Sequence, residues 1–138
     1  ELDYVQWLFG KINIEHCKSK KLSNLKIQTD DFLNLVGKTK KASSIQITLS
    51  YFTRHPVREI LVDGKNISLK ADLINKNVIC CEGNKTRIYH FNNSNRNNEY
   101  RNQHIAILKK KTNNKLCTFK EGKQLIYLIN QIKSKSGK

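Results

Sequence analysis

Short apolar and polar alternations, repeated along the chain and separated by tight-turn signals, limit what this sequence can fold into more than any other feature. Residues 44–52 read Ser-Ile-Gln-Ile-Thr-Leu-Ser-Tyr-Phe, with Ile45, Ile47, Leu49 and Tyr51 at every second position. A period of two puts these four on one face of a strand. Ile12 and Ile14 alternate in the same way within residues 11–17, and an apolar run at residues 32–36 joins the long strand through a turn over 37–41. Residues 57–62 end at Asp63-Gly64-Lys65-Asn66, from which residues 67–73 return. Residues 78–81 and 86–91 pair across Glu82-Gly83-Asn84. Gly and Asn tolerate the positive φ that such hairpin turns require. Five to seven strands joined by connections this short leave no room for parallel crossovers, so the sheet is expected to be mostly antiparallel. Pro56, the one proline, lacks a ladder donor and marks a bulge or a strand start.

Helical periodicity brackets the strands. Leu2, Val5, Leu8 and Phe9 share a helical face that ends at Gly10, where a left-handed cap is expected. No Ser, Thr, Asp or Asn stands before Leu2 to cap this helix, so it reads as one already under way, in a fragment whose preceding part is absent. Tyr100, Ile105, Ile107 and Leu108 suit a helix over residues 99–111, after an asparagine-rich loop at 92–98. The last helix opens with Thr118-Phe119-Lys120-Glu121, a capping box in which hydroxyl and carboxylate satisfy free amide donors. Its apolar stripe runs through Leu125, Ile126, Ile129 and Ile132. The whole reads as a single α+β domain over residues 1–138: a mostly antiparallel open sheet with helices packed on one face and the other face available for dimerisation.

Charge narrows the partners. Lys and Arg number 26 against 11 Asp and Glu, a net charge of +15. A basic surface gains affinity for nucleic acid by releasing phosphate counterions. The lysines, however, fall in short runs at residues 18–21, 38–41, 109–111 and 133–135, which read as loops and element ends, so a solvated periphery is expected and a basic α+β nucleic-acid-binding module is the alternative. No stretch reaches the ~20 apolar residues of a membrane span and no signal peptide is visible, so a cytoplasmic location is expected.

Chemistry is sparse. Cys17, Cys80, Cys81 and Cys117 contain no Cys-x-x-Cys pair, and adjacent strand residues such as Cys80 and Cys81 point to opposite faces, so reduced cysteines and no metal site are expected. His16, His55, His90 and His104 are scattered. There is no glycine-rich phosphate loop and no Gly-x-Ser-x-Gly, and the paired Asp30 and Asp31 suit an element cap better than acid-base work.

The opening helix, from Glu1 through Trp7-Leu8-Phe9-Gly10, resembles the one that begins the C-terminal domain of the Gfo/Idh/MocA oxidoreductases, the glucose-fructose oxidoreductase and inositol dehydrogenase group. In that family Asp-x-x-x-His-x-x-Asp precedes an apolar helix ending Trp-Leu-x-Gly; Asp3 matches the last Asp, so the family's His and first Asp would lie upstream of Glu1. Thr29-Asp30-Asp31-Phe32, Arg54 and Arg58, Val62-Asp63-Gly64, Tyr100 with Gln103, and Leu116-Cys117-Thr118 resemble later motifs in the same order. The resemblance implies an N-terminal Rossmann domain that binds NAD or NADP, and a sugar or nucleotide-sugar substrate. On this reading the chain is the substrate-wall and oligomerisation domain, inactive and free of cofactor in isolation, with its catalytic His and Lys upstream. Asp3, Tyr4, Arg54 and Arg58 would then be substrate-proximal, the arginines facing nucleotide-sugar phosphates or else pairing with Glu59 or Asp63. A homo-oligomer would form through the bare sheet face, to which Thr48, or Ile47 in the other register, contributes. A binding sheet would instead interleave aromatic and basic side chains.

Overall fold

The computed structural model describes residues 1–91, 96–109 and 116–136. Along the chain come α1 (Leu2–Phe9), β1 (Asn13–Lys20), β2 (Phe32–Lys38), β3 (Ile45–Ser50), β4 (Glu59–Gly64), β5 (Ile67–Asp72), β6 (Asn77–Glu82), β7 (Lys85–His90), α2 (Arg96–Leu108) and α3 (Phe119–Ser136). The α+β class and the antiparallel pairing are those expected from the alternation. The strands divide, however, into a three-stranded sheet ordered β1-β2-β3 and a four-stranded meander ordered β4-β5-β6-β7, in place of one continuous sheet. The break falls where Pro56 sits: residues 51–58 form no strand and are exposed throughout, so no ladder passes from β3 to β4.

The chain gathers into two compact units. One holds Glu1–Phe52 and the segment from Cys117 onward; the other holds Thr53–Leu116. No shift in composition marks either junction.

In the first unit the core is a single row across three strands. Cys17 pairs with Leu35, and Leu35 with Ile47. All three are buried, together with Ile12 and with Leu128 and Ile132 of α3. Leu2, Val5, Ile14, Leu33, Ile45 and Leu49 pack against this cluster. Each fully buried aliphatic side chain stabilises the fold by roughly 1.5–3 kcal/mol, so α3 closes the core from 115 residues away, where Cys17 Sγ also meets the Ile132 carbonyl at 3.7 Å. The buried residue of the middle turns is Leu128, while Ile126, expected in the stripe, is exposed. The capping box forms as read: the Glu121 carboxylate accepts from the Thr118 amide and hydroxyl at 2.7 Å each, and the Glu121 amide donates to the Thr118 hydroxyl at 3.3 Å. Gly10 does take a positive φ of 91°, but its ψ of −176° is not that of a left-handed cap; its amide donates to the Gln6 carbonyl at 2.8 Å. Leu8 of the expected helical face is exposed.

In the second unit the positive φ of the β4–β5 turn falls on Asn66 rather than Gly64, and Gly83 carries that of the β6–β7 turn. α2 begins at Arg96, three residues ahead of expectation, which draws Asn97 and Asn98 out of the expected loop; residues 92–95 of that loop and residues 110–111 of the expected helix lie outside the described residues. Tyr100, Ile107 and Leu108 of α2 are exposed, so of the four residues of the expected apolar face Ile105 alone is partly buried. No described residue of this unit is buried.

Candidate nucleic-acid interface

Helix α3 covers one face of the three-stranded sheet, and strand alternation sends the remaining side chains to the other. Three rows cross that second face: His16, Val36 and Gln46; Lys18, Asn34 and Thr48; Lys20, Phe32 and Ser50. Six of the nine are exposed, and Val36, Asn34 and Phe32 of the central strand are half-buried. Asn34 Nδ2 donates to Thr48 Oγ1 at 3.1 Å, which ties β2 to β3 through side chains as well as backbone. The rows contain no carboxylate. Glu15, next to them, is ion-paired with Lys38 at 2.8 Å, and that contact holds the Lys38 ammonium above its ordinary pKa.

Lys18 and Lys20 reach this face because of an irregularity in β1. Ile12 and Ile14 point to the core, and strict alternation from them would send His16, Lys18 and Lys20 inward too. A register shift between Ile14 and His16 inserts Glu15 as an extra residue. The parity then reverses: Cys17 becomes the buried member and the lysines turn outward. β1 runs to Lys20, so Lys18 and Lys20 lie on a strand and not in the loop or element end expected for residues 18–21. The signal that could have found them is the continued alternation Cys17-Lys18-Ser19-Lys20, with small residues between cations.

The end of this face is held by Asp31, whose side chain is fully buried. Its carboxylate accepts from the Leu22 amide at 2.7 Å, the Ser23 amide at 2.9 Å, the Ser23 hydroxyl and the Lys21 ammonium at 3.4 Å. Burial alone would raise its pKa; the Ser23 hydroxyl, the two amides and Lys21 outweigh that and hold it far below the carboxylate range. The Lys21 ammonium also reaches the carbonyls of Ser23 at 2.6 Å and Leu25 at 2.7 Å. Four donors converge on this carboxylate, three on Oδ2 and one on Oδ1, and close the loop between β1 and β2, so Asp31 is an anchor rather than a base.

The four residues expected near a sugar substrate fall in different units. Asp3 is exposed and Tyr4 half-buried on α1, whereas Arg54 and Arg58 lie in the exposed segment before β4. Of the carboxylates near them in sequence, Glu59 pairs with Lys70 at 3.0 Å and Asp63 accepts from the Ser68 hydroxyl at 2.6 Å. Of the strand expected to offer an apolar dimer surface, Ile45, Ile47 and Leu49 lie on the covered side; Tyr51 lies past the strand end and is exposed, and Thr48 alone of the two interface candidates faces outward. All four cysteines are free thiols, and among the described residues no three His, Cys, Asp or Glu side chains gather as a metal site. No described helix is long and apolar enough to cross a membrane. No family model matches the chain, and neither a curated protein nor a solved structure does.

Proposed function

We propose that this protein binds nucleic acid, laying the bare face of its three-stranded sheet on duplex DNA. The observation that carries the reading is the composition of that face: ammonium, amide, hydroxyl and imidazole groups in register across three strands, with Val36 and Phe32 of the central strand half-buried between them, while the other apolar residues of the same strands lie under α3. Such side chains donate to phosphates and to base edges. The outer strand axes lie about 10 Å apart, two spacings of about 4.8 Å, a distance of the same order as the major-groove width of about 12 Å. Outward residues on one strand recur about every 6.7 Å, close to two base-pair rises of about 3.4 Å each.

Duplex is preferred over single strand because stacking platforms need exposed aromatics, and Phe32, the one aromatic in the rows, is half-buried. DNA is preferred over RNA because the A-form major groove is too narrow for side chains to read. The role of a substrate-wall domain in an NAD(P)-dependent sugar oxidoreductase asks for one broad sheet with an apolar bare face, and a polar face on a three-stranded sheet does not favour it.

Fluorescence anisotropy with a labelled duplex, over a range of salt, tests the proposal. Binding weakens steeply as salt rises, and the Lys18→Ala/Lys20→Ala double variant lowers the salt slope by about two, one for each phosphate contact removed. Unchanged slope in that variant, or tighter binding to single strands than to duplex, overturns the reading.

A further inference from the structure

The first unit also holds a cleft of about 260 Å³ on its helix-covered side, between the end of α1 and the first turns of α3. Its base is Ile12 and Leu128, and Tyr127 forms a wall. Lys11, Lys120 and Lys123 stand around it, and no acidic side chain lines it. Lys120, Lys123 and Tyr127 follow one another at three- and four-residue spacing, so the helix itself puts two cations and a ring on one side. Like charges three apart on a helix repel each other unless an anion lies between them. The methylene stems of these lysines are apolar and add to the lining that Ile12 and Leu128 provide.

We infer that this cleft binds a small amphipathic anion, an aryl or alkyl carboxylate, with its apolar body against Tyr127 and the lysine stems and its acid head between the three ammonium groups. A volume of about 260 Å³ lies just below the roughly 300–1,000 Å³ of ordinary small-ligand sites, which suits a ligand no larger than one fused ring system or a medium acyl chain. Concave, mostly apolar lining with a few convergent polar groups is the usual form of a small-ligand site. Duplex DNA does not fit a recess of this size, and the cleft lies on the face of the sheet opposite Lys18 and Lys20, so this inference stands apart from the proposed nucleic-acid interface.

The test is an amide-resolved NMR titration of the full chain with naphthalene-2-carboxylate, with 2-naphthylmethanol as the neutral analogue and inorganic phosphate as the head group alone. Saturable shifts are expected at Ile12 and at residues 120–128. Affinity is expected to fall about tenfold or more for the neutral analogue and for the Lys120→Glu/Lys123→Glu variant, both lysines being exposed and so removable without loss of core. Lys18→Ala/Lys20→Ala should leave the titration unchanged. Equal affinity for the neutral analogue, equal shifts with phosphate, retention of binding after charge reversal, or no saturable shift each overturns the inference.

Discussion

Asp31 and Leu35 carry the residue-scale argument, because each is buried and each has a clear reason to be. Replacing Leu35, which is 0% exposed, with Ala should cost about 2–5 kcal/mol, whereas Leu61→Ala, at a position 68% exposed, should change stability by under about 0.5 kcal/mol. Urea unfolding monitored by circular dichroism separates the two. Asp31→Asn offers amide hydrogens to a set of donors and so should destabilise more than Asp30→Asn, whose exposed carboxylate accepts a single bond from Ser19 at 2.6 Å. The effect has a definite pH dependence. The folded-state pKa of Asp31 lies below its ordinary 3.8, so the unfolded chain takes up the proton first. Its contribution is therefore complete above about pH 5 and is lost as pH falls below about 4, toward the folded value. Stability of the native protein and the Asn variant should converge on acidification; a constant difference from about pH 6 to pH 2 contradicts the assignment. None of this burial could be read from residues 30–31 themselves, because the donors to Asp31 are a property of the loop that folds back over it.

Among the elements, α3 shows how local and distant information combine. Its start is local: Thr118 and Glu121 satisfy each other's donors within one turn, and the spacing alone identifies them. Thr118→Ala should cost about 1 kcal/mol, a loss that circular dichroism and urea titration read directly. Its packing is not local. Leu128, rather than Ile126, became the buried member because the helix must present a side chain to Ile12 and Leu35, and both residues fit a 3.6-residue period closely enough that sequence does not choose between them. Strand β1 failed in the opposite way. Its alternation was legible to Ile14, and then one inserted residue reversed every face that followed, which turned Lys18 and Lys20 out to the exposed face of the sheet.

At the scale of the whole chain, stability is unevenly shared. All the buried apolar residues of the described chain belong to the first unit. Hydrogen exchange should therefore be slowest at the amides of Leu35 and Ile47 and clearly faster along β5 and β6, whose side chains reach only intermediate burial. Equal protection in the two central ladders would show that the second unit has a core of its own. What the sequence by itself determined is everything that needs only near neighbours: strand alternation, the turns at Asp63-Gly64-Lys65-Asn66 and Glu82-Gly83-Asn84, the cap at Thr118, the antiparallel α+β class, and a strong excess of positive charge. What only the tertiary structure decided is how the strands divide between two sheets and which face of β1, β2 and β3 is left bare. A period of two defines two faces but not which of them a helix more than a hundred residues away will cover, and here that covering put most of the apolar side chains inside and left amides, hydroxyls and lysines facing out beside Val36 and Phe32.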